Sequence, residues 1–358
     1  MNVAKCIAID AMGGDGGVEM TLPACVEALR QDPDLGLMLI GNERCMQDGL
    51  KHVPEALLAR ISIIHTKDAV FDDDKPAQVL RKGRQSSMFK AIELVKDGKA
   101  QAMVSAGNTG ALLLTGRHLL KTLPGIRKPA IVATLPGTSR QTFLLDVGAN
   151  PECDGPQLFE FAVMGMVLAE ALEGQPVSVG LLNIGAELHK GTAAVQEAAA
   201  LMMDSPALDY AGFIEANELF EGAADVVVCD GFVGNVIIKS SAGVANVVKK
   251  LLRPKQEDMP PVSMQVDVNL PCISLASNDC SEEAISLRLS SQINPQRFNG
   301  ASLLGLQGSV IKSHGNATSE GFFYAIQQAI HEVDNAIPQL IADRVANIMQ
   351  GRPAPVLG

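Results

Sequence analysis

Glycine stands beside asparagine, aspartate or serine at several points where a short apolar run of the sequence ends. These segments are 9–17, 105–110, 146–150, 183–187 and 229–235, with a sixth candidate at 312–316. Glycine lets a backbone approach a ligand closely, and the free N–H groups at the start of a following helix favour an anion. Each segment alone is explained by ordinary turn formation and helix capping. Their recurrence predicts a site for a phosphate-like group.

Two side chains near these segments are candidates for handling charge. His314 directly follows a lysine and a serine, and an imidazole with an ordinary pKa of about 6.5 can position or deprotonate an oxyacid nucleophile. Lys190 follows the 183–187 segment at a predicted helix start, where a cation opposes the helix dipole, so a bound anion would explain it. An ordinary surface position is the alternative for each.

Several familiar kinds of site are excluded by their missing motifs. Neither the P-loop pattern nor G-x-G-x-x-G occurs, and the H-E-x-x-H and G-x-S-x-G patterns are also absent. The three aspartates at 72–74 are interpreted as a solvated turn before Pro76, because metal ligands must converge from several elements. The seven cysteines contain no C-x-x-C pair and are interpreted as reduced, mostly buried residues. We therefore expect no metal and no cofactor.

Composition narrows the class of partner. The 358 residues carry a net charge of −11, only 4% are aromatic and none is Trp, which argues against nucleic acid. Basic residues nevertheless cluster at 75–101, 117–128 and 239–255, where an acidic protein could bind, although solvated helix faces are the default explanation. No apolar run approaches the roughly 18 residues of a membrane span, and the N-terminus does not resemble a signal peptide. A cytoplasmic protein is expected.

The elements that must position these residues alternate between short apolar runs and longer periodic stretches. Strands are predicted at 6–9, 35–40, 61–65, 102–105, 130–134, 143–146, 177–183, 212–215 and 226–229. Helices are predicted at 21–31, 86–97, 109–123, 157–173, 190–203 and 235–252. The runs are continuously apolar, as strands are when both faces are covered, which predicts an α/β protein with a largely parallel sheet. The carboxyl ends of such strands converge, so the glycine segments should share one crevice.

The last third of the chain differs in pattern. Residues 256–287 hold six acidic residues, no Lys or Arg, and three prolines, which predicts a loop or linker. Order should return at 299–312 as a hairpin or two close strands, followed by closing helices at 320–335 and 338–350. We expect residues 1–350 to form a single α/β domain or two intertwined subdomains.

Six motifs taken together resemble the bacterial phosphate acyltransferase family. They are Ile-Asp-Ala-Met-Gly-Gly-Asp at 9–15, Ser-Ala-Gly-Asn-Thr-Gly-Ala at 105–111, Leu-Leu-Asn-Ile-Gly at 181–185, Val-Cys-Asp-Gly-Phe-Val-Gly-Asn at 228–235, Asn-Gly-Ala-Ser-Leu-Leu-Gly-Leu at 299–306 and Lys-Ser-His-Gly at 312–315. The match extends in the right order from about residue 5 to about residue 345.

The resemblance implies a three-layer α/β/α fold with a largely parallel mixed sheet, related to isocitrate and isopropylmalate dehydrogenases and to phosphotransacetylase. It also implies transfer of a long-chain acyl group from acyl carrier protein to inorganic phosphate, giving acyl phosphate for phosphatidic acid and phospholipid synthesis. A homodimer is expected, with a membrane acyltransferase as the consumer of the acyl phosphate. Because phosphate is itself the nucleophile, no covalent intermediate on Ser or Cys is required.

Residue roles follow from the resemblance as hypotheses. Asn108, Thr109 and Gly110 would cradle phosphate, Lys190 and Asn235 would bind the developing charge, and His314 would orient or deprotonate the nucleophile. Lys190, Asn235 and His314 are thus the catalytic candidates. The remaining candidates for binding phosphate or substrate are Asp10, Gly13, Gly14, Asn183, Asp230, Lys312, Ser313 and Gly315.

One segment departs from the family pattern. Family members carry a cationic apolar stretch thought to touch the membrane, whereas residues 256–287 here are acidic, so attraction to anionic lipid should be weak. Peripheral membrane association is therefore doubtful. Val247, Val248, Leu251 and Leu252 form a short apolar stripe beside basic residues, and core packing is the preferred explanation.

Two alternatives to this function stay open. The chain could be a short-chain phosphate acyltransferase that uses a coenzyme A thioester, as phosphotransacetylase does. It could instead be a non-catalytic regulator that binds acyl carrier protein through the same surfaces. A nicotinamide-dependent dehydrogenase is suggested by fold alone, which does not license a function.

Overall fold

Strands and helices alternate along most of the chain. The computed structural model describes residues 4–71, 73–138, 140–251 and 295–350. The strands are β1 (Lys5–Asp10), β2 (Leu35–Gly41), β3 (Ile61–His65), β4 (Ala102–Ser105), β5 (Ala130–Leu135), β6 (Thr142–Leu145), β7 (Ser178–Leu182), β8 (Asp209–Ile214), β9 (Val226–Val228), β10 (Ala301–Leu304) and β11 (Ser309–Lys312). The helices are α1 (Gly17–Gln31), α2 (Glu43–Leu50), α3 (Glu55–Leu58), α4 (Pro76–Lys82), α5 (Ser87–Lys96), α6 (Thr109–Leu120), α7 (Gly155–Glu173), α8 (Ala193–Met203), α9 (Gly231–Leu251), α10 (Ser319–Asp334) and α11 (Ile337–Gln350).

All the described strands join one sheet in the order β3-β2-β1-β4-β11-β10-β5-β6-β9-β7-β8. Strands β3, β2, β1, β4 and β11 are mutually parallel, and so are β6, β9, β7 and β8. Between these blocks, β10 pairs antiparallel with β11 and β5, and β5 pairs antiparallel with β6. Three successive reversals lie between the blocks, so the second block runs opposite to the first.

Alternating side chains of the first block bury against helices on both faces of the sheet. Ile7 and Ile9 of β1 contribute to a buried cluster with α1 and α10. Ala8, between them, contributes to another cluster with α5 and α6. The second block packs against α7, α8 and α11 in a third cluster. Because strand side chains alternate between faces, this arrangement gives helix, sheet and helix layers around the first block.

Polar side chains fix where helices begin. Asp154 accepts a hydrogen bond from the Gln157 backbone N–H, and the Gln157 side chain accepts one from the Asp154 N–H, forming a capping box at α7. Single capping side chains start α5, α6, α8 and α10, namely Ser86, Asn108, Thr192 and Thr318. Such caps satisfy N–H groups that have no partner within a helix.

The predicted elements largely agree with this architecture. Every predicted strand is present, and residues 299–312 supply the predicted close strands as β10 and β11. The short helices α2, α3 and α4 were not predicted, and the helix predicted from Lys190 begins instead at Ala193. The α/β sheet with mixed but largely parallel pairing is confirmed.

The chain divides into two units, Met1–Ile237 with Gln296–Gly358, and Ile238–Pro295. The first unit contains the whole sheet. Of the second, the structure describes residues 238–251 of α9 and Pro295, so the predicted acidic loop at 256–287 lies outside the described residues. The prediction of a single domain or two intertwined subdomains stays a prediction.

Among the residues that the structure describes, two helices are long and apolar enough to cross a membrane by length and composition, α7 and Gly231–Val248 of α9. The expectation that no segment is long and apolar enough for a membrane span was wrong. Single polar residues and glycines interrupt an apolar run, but they leave the mean hydropathy of a long helix high. α7 is mostly buried, as a core helix of a globular domain is. On α9, Val247 and Leu251 are exposed, so core packing is the wrong explanation for these two residues, whereas Leu252 lies outside the described residues.

Candidate active site

The direction of the strands divides the predicted site residues into two groups. The carboxyl ends of β1, β4 and β11 leave one edge of the sheet, whereas those of β6, β9 and β7 leave the opposite edge. We call residues 10–15, 105–110 and 312–316 the β1–β4–β11 cluster. Residues 146–150, 183–191 and 229–235 are the β6–β9–β7 cluster. The prediction that all these segments lie at one edge is therefore wrong, because the antiparallel strands in the middle reverse the sheet.

The three loops of the β1–β4–β11 cluster touch one another through their backbones. A Cβ atom at Gly13 would lie 2.8 Å from the Gly107 nitrogen. Gly14 has a φ of +78°, and a Cβ atom there would lie 2.8 Å from the Gly315 carbonyl oxygen. The Asp15 N–H donates to that same oxygen at 2.8 Å. Only glycine permits this approach, so the predicted convergence holds for these three loops.

Asp10 lies beneath this contact and is buried, with 1% of its surface exposed. The Ser105 hydroxyl donates to Asp10 Oδ2 at 2.7 Å and itself accepts from the Gly107 N–H at 3.0 Å. Asp10 Oδ1 has no hydrogen-bond partner in the part of the chain that is described, although the Ser87 hydroxyl lies close to the carboxyl group. Burial raises the pKa of Asp10. Its contacts support the loop after β4, and the phosphate or substrate contact predicted for Asp10 stays a prediction.

The segment after β11 carries the cation of this cluster. Lys312 Nζ donates to the Ala106 carbonyl at 3.2 Å and also contacts the Ser313 carbonyl. Ser313 is fully buried, and its hydroxyl accepts from Asn299 Nδ2 at 2.9 Å. Asn299 Oδ1 accepts from the backbone N–H of His314 at 3.0 Å. Asn299 therefore fixes both residues that follow Lys312.

Asn299 was missed as a candidate site residue. The Asn-Gly pair before a predicted strand was the available signal, but it also describes any tight turn. Only 5% of the Asn299 surface is exposed, and its amide joins residues 14 and 15 positions further along the chain. The pairing of β10 with β11 creates this contact, and no local sequence pattern reveals it.

The side chain of His314 is exposed, yet surrounding protein atoms partly desolvate its imidazole. This desolvation lowers the pKa of His314, and the neighbouring Lys312 ammonium lowers it further. Both effects favour the neutral ring, the form that accepts a proton. His314 thus suits the role of a base.

The start of α6 completes the β1–β4–β11 cluster. Asn108 Oδ1 accepts from the Ala111 N–H at 2.9 Å, and its Nδ2 donates to the Asp74 carbonyl at 3.4 Å. Asn108 therefore caps the helix, and Thr109 and Gly110 form its first turn. Thr109 is exposed, so an anion could reach this positive helix end.

Asp146 organises the loop after β6 in the other cluster. It is fully buried, and its carboxylate accepts from the backbone N–H groups of Ile131, Gly148, Ala149 and Asn150 at 2.9, 3.2, 3.1 and 2.6 Å. Burial raises the pKa of Asp146 against the opposing effect of these donors. The Asp146 carboxylate thus accepts hydrogen bonds from the backbone of its own loop and holds that loop in shape.

Asn235 and Asp230 lie at the start of α9. Asp230 Oδ1 accepts from the Val233 N–H at 2.8 Å, which makes Asp230 a capping residue. Asn235 lies half-buried in the first turns of the helix, beside Gly148, where a Cβ atom would be 3.7 Å from the Asn235 side chain. The Asn235 amide has no hydrogen-bond partner among the residues described, so it is available to a ligand.

Lys190 is held by a carboxylate. Its Nζ lies 2.6 Å from Glu187 Oε2, and this contact lowers the pKa of Glu187. Asn183 Nδ2 donates to the Lys190 carbonyl at 3.1 Å, closing the loop after β7. α8 begins at Ala193, so Lys190 precedes the helix, and the helix-dipole argument for a bound anion was wrong.

Three apolar side chains of the β6–β9–β7 cluster itself lie at the surface. Ile184, Leu188 and Phe232 are exposed by 79%, 76% and 66%. Across the described ranges, no three His, Cys, Asp or Glu side chains are grouped closely enough to hold a metal ion. One cluster thus gathers backbone N–H groups, a lysine and a histidine, while the other combines an amide without a partner among the described residues with three exposed apolar side chains.

Comparison with curated proteins finds relatives along almost the whole chain. A phosphate acyltransferase of Shewanella sediminis (strain HAW-EB3) is 45% identical over 345 residues, covering 96% of this chain and 97% of that protein. A phosphate acyltransferase of Halorhodospira halophila is 43% identical over 344 residues, covering 96% of each chain.

Solved structures support the same architecture at much lower identity. A phosphotransacetylase from Streptococcus pyogenes is 18% identical, with a TM-score of 0.56 and 96% of each chain covered. The EutD phosphotransacetylase from Staphylococcus aureus is 16% identical, with a TM-score of 0.54 over 95% of this chain and 94% of that one. The predicted phosphotransacetylase-related α/β/α fold is confirmed.

A family model also covers most of the sequence. The model described as fatty acid synthesis protein matches residues 5–340. The six motifs, the fold and the curated relatives agree with this match. The chain therefore belongs to the fatty acid synthesis protein family and is an acyltransferase enzyme of lipid synthesis, related to the bacterial phosphate acyltransferases.

Proposed function

We propose that this enzyme transfers a long-chain fatty acyl group from acyl carrier protein to inorganic phosphate. The products are acyl phosphate, a precursor for phospholipid synthesis, and the free carrier protein. The observation that carries the proposal is the backbone contact between the loops after β1, β4 and β11, beside Lys312 and His314. This cluster suits a small oxyanion, because it combines glycine backbone, the start of α6 and an ammonium group.

Phosphate would bind in the β1–β4–β11 cluster, against the first turn of α6 and Lys312. Its oxygen attacks the thioester carbonyl, so that a C–O bond forms and the C–S bond breaks. His314 accepts the proton of a monoprotonated phosphate and supplies it to the departing thiolate. Holding phosphate against the carbonyl removes much of the entropic barrier, so no covalent enzyme intermediate is needed.

The β6–β9–β7 cluster suits the other substrate. Ile184, Leu188 and Phe232 offer exposed apolar surface to a fatty chain. Asn235 carries an amide without a partner among the described residues, and such an amide can bind a polar group of the acyl donor. Because this cluster and the phosphate loops lie at opposite edges of the sheet, Asn235 lies away from the carbonyl that is attacked at the β1–β4–β11 cluster of the same chain. Lys190 can bind a polar group of the donor only by leaving Glu187.

Incubation with orthophosphate and a long-chain acyl carrier protein tests the proposal. Mass detection should find acyl phosphate, and free carrier thiol should appear only when phosphate is present. Coenzyme A thioesters of short and long chains serve as competing donors. A preference for a short-chain coenzyme A thioester would favour the phosphotransacetylase-like alternative, and carrier binding without thiol release would favour the regulator.

We also propose that the enzyme works in the cytoplasm as a homodimer and supplies acyl phosphate to a membrane acyltransferase. A reactive mixed anhydride made by a soluble enzyme requires a consumer close to the lipid surface. Sedimentation of the purified protein tests the dimer. Fractionation of cells, with and without a salt wash, tests whether the enzyme is free or peripherally attached.

A further inference from the structure

A groove of about 340 Å³ lies between α5 and α6, outside both clusters. Its lining includes Arg84, Phe89, Glu93, Lys96, His118 and Leu119. Phe89 is buried and Leu119 is half-buried, so the groove has an apolar part beneath charged walls. We call these six residues the α5–α6 groove.

Positive charge dominates this face of the molecule. Arg84, Lys96 and His118 are exposed in the groove, and Arg117 is exposed next to them on α6. Arg81 lies in the last turn of α4, which packs against α6. Within the ranges that the structure describes, none of these arginines, nor Lys96, forms an ion pair with a carboxylate. Glu93 is the acidic residue of the groove, and nearby Asp97 is paired with Lys99 at 3.3 Å.

This local charge contrasts with the whole chain, whose net charge is −11. An acidic macromolecule is repelled by most of such a protein and attracted to a basic face. Complementary charge of this kind increases association rates and fixes orientation. A groove with unpaired cations on its walls and apolar atoms below them fits an acidic helical surface that also presents an apolar side chain.

The groove also lies close to the phosphate cluster. Arg84 is two residues before Ser86, which caps α5, and Ser87 lies beside Asp10. The Met88 methyl group would lie 2.7 Å from a Cβ atom at Gly107. The start of α5 thus joins the groove to the loops after β1 and β4.

We infer that the α5–α6 groove is the docking surface for the acidic acyl carrier protein. This inference rests on the proposed function, in which that protein is the acyl donor. Carboxylates of the carrier would face Arg84 and Lys96, with an apolar side chain above Phe89 and Leu119. A carrier held there presents its thioester arm toward the start of α5 and the β1–β4–β11 cluster.

The test reverses charge in the groove. The double variant Arg84→Glu/Lys96→Glu should raise the KM for acyl carrier protein about 10-fold or more at low salt, because attraction becomes repulsion. Turnover of a small neutral thioester, acyl-N-acetylcysteamine, should stay within about 2-fold of wild type, because it needs no docking surface. A neutral double variant, Arg84→Gln/Lys96→Gln, should give an intermediate KM and a weaker dependence on salt.

Arg30→Glu/Lys51→Glu is the matched control. Both residues are exposed and belong to the α1 and α2 region, which packs on the other face of the sheet. This variant changes net charge by the same amount and should leave the KM for the carrier within about 2-fold of wild type.

Each outcome is decisive. If the wild-type enzyme turns over the carrier thioester and the groove variant has an unchanged KM, the docking inference is overturned while the proposed function stands. If the wild-type enzyme does not use the carrier at all, the proposed function itself fails. An equal loss in groove and control variants overturns the inference in favour of a general charge effect. If the groove variant changes its oligomeric state, the groove binds a second copy of the chain. If the groove variant alone loses binding to anionic vesicles, the groove binds lipid. Either result overturns the docking inference.

Discussion

The β1–β4–β11 and β6–β9–β7 clusters arise from the same sequence pattern but are built differently. In the first, loops from three strands contact one another, and Lys312 donates to backbone carbonyls. In the second, Asp146 uses its carboxylate to shape its own loop, and Lys190 is paired with Glu187. Glycine after an apolar run therefore marks the end of a strand, while the neighbours of that strand decide what the loop can bind.

The comparison assigns different tasks to the two clusters. Lys312 donates to backbone carbonyls, whereas the charge of Lys190 is balanced by the Glu187 carboxylate. Exposed Ile184, Leu188 and Phe232 give the second cluster an affinity for hydrocarbon instead. Substitutions that act on one cluster alone can separate these tasks.

Lys312→Met should have the largest effect. Loss of the ammonium beside the phosphate loops should lower kcat/KM for phosphate about 100- to 1000-fold, the range observed when one charge-stabilising group is removed. Steady-state kinetics at saturating acyl donor measure it, with Lys51→Met, on the exposed end of α2, as the matched control. A loss of less than about 10-fold in kcat/KM would show that phosphate does not bind in the β1–β4–β11 cluster.

Asp146→Ala should mainly destabilise the fold. The change leaves the backbone N–H groups of Gly148, Ala149 and Asn150 without their buried acceptor, so the free energy of unfolding should fall by about 3 kcal/mol. Urea unfolding measures it. Asp230→Ala, which removes a helix cap, should cost only about 1 kcal/mol. Equal losses in the two variants would show that Asp146 does not organise its loop.

Lys190→Met should have a smaller effect on rate than Lys312→Met. Its ammonium is already paired with Glu187, so we expect about a 10-fold loss of kcat. Glu187→Gln should preserve kcat, since it leaves the Lys190 ammonium in place for a polar group of the acyl donor. A larger loss in Lys190→Met than in Lys312→Met would transfer the main charge-stabilising role to the β6–β9–β7 cluster.

The pH dependence of wild-type turnover should show the smallest effect. Partial desolvation of the ring and the Lys312 ammonium both lower the pKa of His314, so the acid limb of kcat/KM should lie below the ordinary histidine value of about 6.5. Neutral imidazole is the active form, and turnover falls only as the pH drops through this lowered pKa. In the Lys312→Gln variant, the acid limb of the residual turnover should move to higher pH, because the positive charge that lowers the pKa of His314 is gone. A limb that persists in His314→Gln would show that another group titrates.

The strands were predictable because burial on both faces produces continuous apolar runs such as Ala102–Ser105. Strand direction was not predictable from such runs. The reversal depends on β10 and β11 entering the middle of the sheet, which is a contact between distant parts of the chain. The contact between the loops after β1, β4 and β11 was predictable in part, because the close approach of these loops requires glycine at positions 13 and 14.

The finer features of the site were beyond sequence reasoning. Asp10 resembles a ligand in the sequence, but burial makes it a support for the Ser105 loop. Lys190 was assigned to a helix start because propensity places helix ends only approximately, and Thr192 is the actual cap. Asn299 acts through tertiary contacts that no periodicity reveals.

The position of β10 and β11 has a consequence for synthesis on the ribosome. These strands come from residues 301–312, yet they fill the gap between β4 and β5. A nascent chain that lacks them has the partner edges of β4 and β5 unsatisfied, and open strand edges favour aggregation. The sheet can be completed only after nearly the entire polypeptide has emerged, so premature termination before residue 301 should yield insoluble fragments and not a smaller working enzyme.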